Sequence, residues 1–448
     1  MHTSDLQVLH LATHVGGGVG SVLLDWLRNV KPESAIKHSI ACLDECQPES
    51  RAILKKSNLM FHENLYRKER NLLWRLISQA DIVLLHYWNN PLLARLLIEE
   101  GLPLSRLVCW CHISGLNEPC IIPSFLIDVC DRVIFSSPAS KISPLLKRYC
   151  ITEPDKLGVV HSRRNLEPFS AIANSRLIRR RGSSLLYVGT VAYSKLHSAT
   201  ESILGDLSKA GFDITVVGGP EHLEIEKRLC MHGTKVNLTG PIPDVRGLLA
   251  ESDIFIYPLS PTHYGTGEQA ILEAMASGLP VIAFNNPAES VLIKDLHNGC
   301  LVSTHDEFVQ ETVGLAESLE LRTRLSCNAA NDIRHKFIDK SLNEEFNAIF
   351  ESSMRHEKSQ RKIKGKLPSK DPALSAFILT SIQSESALKE IMNSSSEEEL
   401  LNAVAHYIRL QMTSGRCIWR SSTKGSPQHY AMTFPESSMV YQLLQLLT

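Results

Sequence analysis

One segment limits what this chain can fold into more than any other. From Ser252 it reads Ser-Asp-Ile-Phe-Ile-Tyr-Pro, then His263-Tyr-Gly-Thr-Gly-Glu268, then Gln269-Ala-Ile-Leu-Glu273-Ala-Met-Ala-Ser-Gly278-Leu-Pro280-Val-Ile-Ala-Phe284. A short apolar strand runs into a glycine-rich turn. The turn opens a helix that stops at Gly278, and Pro280 leads a second strand. The turn leaves backbone N–H groups at a helix N-terminus, which is an anion site. Gln269, Ala270, Glu273, Ala276 and Ser277 share one helix face, small and polar around a single carboxylate. Ile271, Leu272 and Met275 form the opposite face, expected to pack on a sheet. A ligand with a phosphate and a hydroxylated ring fits this pattern, the phosphate on the turn and the hydroxyls on Glu273. An isolated helix glutamate is ordinarily a solvated carboxylate; set between this turn and this stop, Glu273 reads as a ligand residue.

The rest of the chain repeats the strand–helix alternation in two halves. The first begins with a strand at 7–12, the glycines Gly16, Gly17, Gly18 and Gly20, and a helix from Ser21. Further β-type runs fall at 39–43, 81–85, 107–110 and 132–136. The second half restarts at 184–189 and continues at 213–219, 235–239 and 253–257, with a helix from about Glu221. The basic stretch 176–181 is a plausible linker. Strands alternating with helices imply parallel sheets. The 448 residues, 43% hydrophobic, are enough for two or three filled cores.

The segment around Glu273 resembles the donor-binding motif of retaining glycosyltransferases of the GT-B fold, glycosyltransferase family 4. In that family a Glu-x7-Glu pattern ends in Glu-Ala-Met-Ala-x-Gly-x-Pro-Val. Glu273 matches the second glutamate, which the resemblance assigns to the ribose of a nucleotide sugar. The first falls at Gly265 and is absent; Glu268 lies three residues on. The resemblance covers roughly residues 5–350 and is strongest over 184–302. It implies an α/β protein with two Rossmann-like domains facing a cleft: 1–170 on the acceptor side, 183–335 binding the donor, then a closing helix at 336–354.

Other site residues follow from the same resemblance. Gly17 and Gly18 match a loop that faces the donor diphosphate. The run also loosely fits a dinucleotide fingerprint, with Asp44 as the ribose acid, but a dehydrogenase would not need the Glu273 segment. Lys195 matches the lysine of Gly-Arg-x4-Lys, whose cations neutralise the leaving diphosphate; Thr190 stands where the arginine should be. His197, Lys141, Arg163 and Arg164 are the candidate replacements. Gly219, Thr266, Gly267 and Glu268 belong to loops expected near the nucleotide or the sugar. His112, past a strand of the first half, matches a histidine that contacts the donor sugar. His86 and Trp88 follow the preceding strand and are acceptor-side candidates. With 18 histidines in the chain, a structural role for His112 or His86 is the competing reading.

Bulk properties exclude little else. The net charge of −1 argues against a dedicated nucleic-acid binder. The eleven cysteines are scattered and have no zinc spacing. The first residues carry no basic region or apolar core, so a secretory signal is not expected, and no apolar run reaches the ~20 residues that span a bilayer. Residues 355–370 hold seven Lys/Arg and one acid, so 355–395 reads as a basic, serine-rich linker or a weak anionic-surface patch. Residues 396–448 read as a small extension, open to a protein partner, that begins at a capping box, Ser396-x-x-Glu399.

These readings imply a cytoplasmic glycosyltransferase, soluble or peripheral at the inner membrane face. It would move a sugar from a nucleotide-sugar co-substrate to a glycan or lipid-linked acceptor, with retention and without a metal or other cofactor, in a setting such as polysaccharide biosynthesis. The missing arginine and glutamate leave two alternatives: a catalytically weak subunit supporting a partner in glycan assembly, and a nucleotide-sugar epimerase of the same fold.

Overall fold

The computed structural model describes residues 5–219, 223–229, 235–266, 269–363, 365–413 and 417–447. The chain forms two compact units, Met1–Ser162 with Leu342–Thr448, and Arg163–Ser341.

The first unit is built on a seven-stranded sheet. Its strands are β1 (Leu6–Ala12), β2 (Ile36–Cys42), β3 (Met60–His62), β4 (Ile82–Tyr87), β5 (Leu107–Cys111), β6 (Arg132–Phe135) and β7 (Leu157–Val159). They lie in the order β7-β6-β5-β4-β1-β2-β3, and every neighbouring pair is parallel. The order reverses between β1 and β4, the point where open α/β sheets bind ligands beyond their carboxyl ends. One face carries an aromatic core. Trp26, on the helix Gly17–Arg28, stacks on Phe346 at 4.6 Å, and Phe346 meets Trp110 of β5 at 4.8 Å. Phe346 and Phe350 are one turn apart on the helix Leu342–Ser353, so one helix face returns the chain to this core.

The second unit has a six-stranded parallel sheet. Its strands are β8 (Ser184–Val188), β9 (Asp213–Val217), β10 (Val236–Gly240), β11 (Ile254–Tyr257), β12 (Val281–Phe284) and β13 (Cys300–Val302). Their order is β10-β9-β8-β11-β12-β13, with the reversal between β8 and β11. The strands are near-continuous apolar runs because helices cover both faces.

The linker expected over 355–395 is instead packed structure. Ser359–Arg361 pairs antiparallel with Leu102–Ser105. Arg361 is buried, and its guanidinium donates to Ser105 O at 2.9 and 3.1 Å, to Val129 O at 3.1 Å and to Asp131. The helix Pro372–Ser381 is buried almost throughout. Composition misled because its polar groups are satisfied locally: Ser375 Oγ donates to Ser369 O at 2.9 Å and Thr380 Oγ1 to Ala376 O at 2.7 Å. Serine and threonine content therefore counted as solvent exposure where Ser369, Ser375 and Thr380 are core hydrogen bonding, whereas of the charges Arg361 is buried and Arg355, Lys362, Lys366 and Lys370 are exposed.

Candidate donor site

The carboxyl edge of the second sheet gathers the donor-site candidates of that unit. Gly189 follows β8 and its N–H reaches Val217 O at 2.9 Å, while Gly218 N–H reaches Gly240 O at 3.0 Å. These closures set Thr190 and Gly219 beside each other, with Val191 N–H on Gly219 O at 3.3 Å. Thr190 is exposed, and its carbonyl accepts from the Tyr187 hydroxyl at 2.9 Å. A tight turn at 192–196 then carries Lys195 across to the end of β11, where its carbonyl accepts from Ser260 N–H at 2.9 Å. The Lys195 ammonium lies 5.4 Å from the centre of the Tyr257 ring, a distance at which a cation is attracted to the ring face. Lys195 and the loop after β11 thus flank the reversal point between β8 and β11.

The loop after β11 is held by a buried pair that spacing does not reveal. His263 Nδ1 accepts the Gly265 N–H at 3.0 Å, so the ring proton sits on Nε2. Nε2 lies 3.1 and 3.2 Å from the two oxygens of Glu289, whose side chain is fully buried. This pair fixes the backbone that leads into Thr266, itself buried. Gly267 and Glu268 lie outside the described residues.

The helix Gln269–Ala276 ends as the sequence implies. Gly278 adopts φ 65°, and its N–H closes on Met275 O at 2.9 Å. Ile271, Leu272 and Met275 face the core, as expected. The opposite face differs from a solvated one, since Glu273 is only 3% exposed. The segment entering this unit covers it. Arg164 donates through Nε to Glu273 Oε1 at 3.0 Å and again through Nη2, and its backbone N–H donates to Gln269 Oε1 at 3.1 Å. Arg176 donates to Ser277 O at 2.8 Å from the far end of the helix Glu167–Ser175. Glu273 is thus enclosed by a helix face and a guanidinium, which fix its geometry.

Of the candidates for the missing cation, three lie in this unit. Arg163 is buried and spends its guanidinium on Phe337 O and Lys340 O, at 3.3 and 2.7 Å. His197 is half-buried and stacked on Phe284 at 4.2 Å; burial, with His305 nearby, lowers its pKa and keeps it neutral. Arg164 is charged, lies at the helix Gln269–Ala276, and its side chain is 31% exposed. Lys141 is exposed and belongs to the first unit.

In the first unit Gly17 adopts φ 57° and opens the helix, and its N–H donates to Gln47 Oε1 at 3.1 Å. Gly17 and Gly18 are exposed, with open space where a side chain would begin. His86 is 1% exposed and both ring nitrogens are taken, by His10 and by His112, each at 3.0 Å. It therefore offers no open nitrogen to an acceptor. Trp88 is half-buried and stacks on His429 of the C-terminal extension at 6.1 Å. His112 is half-buried, and its backbone N–H donates to Tyr87 O at 2.8 Å. Among the described residues no group of three or more His, Cys, Asp or Glu is placed to hold a metal, and no helix is long and apolar enough to cross a membrane.

Comparison with known proteins bears on the family and the fold. Residues 182–318 match the family described as Glycosyl transferases group 1. Solved structures share the fold. The Anabaena protein Alr3699/HepE, in complex with UDP and glucose, is 14% identical, with a TM-score of 0.58 over 78% of this chain and 100% of its own. A glycosyltransferase from Rickettsia africae is 16% identical, with a TM-score of 0.59 over 79% and 100%. The catalytic domain of starch synthase IV from Arabidopsis thaliana, bound to ADP and acarbose, is 14% identical, with a TM-score of 0.54 over 79% and 100%. No curated protein matches. The fold is that of the GT-B glycosyltransferases. Within it, this chain carries a glycosyl transferases group 1 domain in its second unit.

Proposed function

We propose that the chain transfers a sugar, with retention and without a metal, from a nucleotide-sugar donor to a glycan or lipid-linked acceptor. One observation carries this reading. Glu273 is a buried carboxylate on the donor helix, held by Arg164, in the same unit and at the same sheet edge as the Lys195 ammonium. Glu273 holds ribose hydroxyls, and Lys195 stabilises charge as the diphosphate leaves. Thr190, Gly219 and Thr266, with Gly267 and Glu268, line the donor, and His112 orients the sugar. The departing diphosphate takes the acceptor proton on the same face, so no protein nucleophile is required. Stabilising the separated charges of the transition state is then the main demand on the site. Arg164 supplies the second positive charge that Thr190 cannot. Trp88, in the first unit, serves the acceptor. The reaction takes place in the cytoplasm or at the inner membrane face.

The test is thermal-shift binding of UDP-, GDP-, ADP-, CMP- and dTDP-sugars to the wild type, Glu273→Ala and Lys195→Ala, followed by transfer assays with the donor that binds. A ligand at about 100 times Kd stabilises the folded state by roughly 2.7 kcal/mol. One donor stabilising the wild type but not Glu273→Ala supports the reading; no donor binding at all overturns it. Thr190 and Gly265, at the places of the arginine and first glutamate, favour a second reading, a weak subunit that supports a catalytic partner. It predicts donor binding without transfer until that partner is added.

A further inference from the structure

Four histidines cross one face of the first sheet in a single hydrogen-bonded line. His38 Nδ1 lies 2.8 Å from His10 Nε2, His10 Nδ1 lies 3.0 Å from His86 Nε2, and His86 Nδ1 lies 3.0 Å from His112 Nε2. The residues come from β2, β1, β4 and the position just past β5, which are adjacent in that order. Strand register makes the line diagonal. His38 pairs with Val8, His10 with Leu84 and His86 with Trp110, so each ring stands two residues nearer the carboxyl edge than the one before. Trp26 and Trp110 pack along the rings, at 5.2 Å from His10 and 4.5 Å from His112.

The two ends of the line differ. His38 is half-buried and lines a cavity of about 800 Å³ with Gln7, Lys31, Lys37 and Ser39. At the other end, His112 Nδ1 is buried and has no hydrogen-bond partner. Burial lowers the pKa of all four rings, to about 4 for His38 and about 3 for His86, and neighbouring imidazoles lower His10 and His112 further. All four are neutral near pH 7. A neutral imidazole has one donor and one acceptor nitrogen. With both nitrogens of His10 and His86 engaged, the choice of tautomer at one ring dictates it at the next. The line has two consistent states: protons on every Nε2, leaving a lone pair at His112 Nδ1, or protons on every Nδ1, making that atom a donor.

We propose that His38, His10, His86 and His112 form one proton relay, which couples the hydrogen-bonding sense of His112 Nδ1 to the cavity at His38. The proton count balances. A proton arriving at His112 Nδ1 sends the Nε2 proton of His112 to His86 Nδ1. The Nε2 proton of His86 passes to His10 Nδ1, and that of His10 to His38 Nδ1. His38 then releases its Nε2 proton to the cavity, and the reverse passage restores the first state. No ring carries charge before or after. His112 can therefore accept from, or donate to, a hydroxyl or phosphate oxygen without a buried imidazolium. That use at His112 rests on the function proposed above; the relay does not. His38, His10 and His86 are positioning residues acting through His112.

The test needs no substrate. Magic-angle-spinning NMR on full-length protein with ¹⁵N-histidine, at pH 8, reads the protonated nitrogen of each ring; loss of a signal on substitution assigns it. In the wild type all four rings should be neutral with protons on the same nitrogen; a mixed pattern or an imidazolium overturns the proposal. His38→Asp offers His10 only an acceptor, and His38→Lys offers it a donor. His112 Nδ1 should then move by the full separation between an unprotonated nitrogen in His38→Asp and a protonated one in His38→Lys. The same His112 tautomer in both folded variants overturns the relay. If either variant fails to fold, the wild-type pattern alone decides.

Discussion

Removing Arg164 should destabilise the second unit more than neutralising its partner does. The Glu273 side chain is 4% exposed and the Arg164 side chain 31%. Stripping one partner from a fully buried ion pair costs about 3–5 kcal/mol, because the remaining charge is left without compensation. Arg164 is partly hydrated, which screens the pair, so Arg164→Ala is expected to cost about 2 kcal/mol. Glu273→Gln keeps an oxygen for the guanidinium and leaves behind a charge that water reaches, so about 1 kcal/mol is expected. The double variant should recover part of the Arg164→Ala loss, since no buried charge then remains. For a unit of this size 1 kcal/mol moves Tm by about 2–4 °C, so Arg164→Ala should melt about 4–8 °C lower. Calorimetry on the three variants measures it. If Glu273→Gln costs as much as Arg164→Ala, burial of the carboxylate does not set the energetics of this site, and the reasoning fails.

Three further outcomes are expected. Stability should fall with acid. His38 and His429 have pKa values lowered to about 4 and His86 to about 3, from an ordinary 6.5. Their unfolded forms bind protons first, so stability is full above pH 6.5 and is lost as pH falls toward 4; at pH 5 each contributes a loss of about 2 kcal/mol, less where the rings are coupled. Equal urea midpoints at pH 7.5 and pH 5 would contradict this. Gly218→Ala should give little folded protein on expression, because Gly218 has φ 149° and its added Cβ would overlap the Gly189 carbonyl oxygen; a soluble variant with wild-type Tm would show that this edge is free to move. Glu118 is 3% exposed and accepts from Ser384 N–H at 3.2 Å, from Gln383 N–H and from the Tyr407 hydroxyl at 2.8 Å. Glu118→Ala leaves those donors unsatisfied and should cost about 2–3 kcal/mol, with protease cleavage appearing first near 383–407; uniform protection of that segment would refute it.

The two sheets were legible because parallel strands covered on both faces are short apolar runs separated by glycine turns. The runs at 7–12, 184–189, 213–219 and 253–257 each coincide with a strand. The stop at Gly278 was legible for a backbone reason, its positive φ. What stayed hidden depends on contacts between residues far apart in sequence. Nothing in the spacing ties Arg164 to Glu273, 109 residues away, or His263 to Glu289, which sits past the next strand. The histidine line was half visible, His86 and His112 as separate candidates. Their link through His10 to His38 requires the strand order, which brings β2, β1 and β4 together although β3 and its flanking helices intervene in sequence.

Arg164 also bears on the two functional readings proposed above. If the site expels a diphosphate, as proposed, a second cation besides Lys195 would offset the leaving charge, and Thr190 provides none. Arg163 and His197 are excluded by the carbonyls and the ring they pack against. Of the candidates in the second unit Arg164 remains, with its guanidinium already ordered by Glu273 and its side chain one-third exposed. A cation fixed before the donor arrives pays no reorganisation when the leaving charge develops. On the proposed function, that preorganisation puts Arg164→Lys, which keeps the charge but not the fork that meets Glu273, next to Lys195→Ala among the variants that separate binding from turnover.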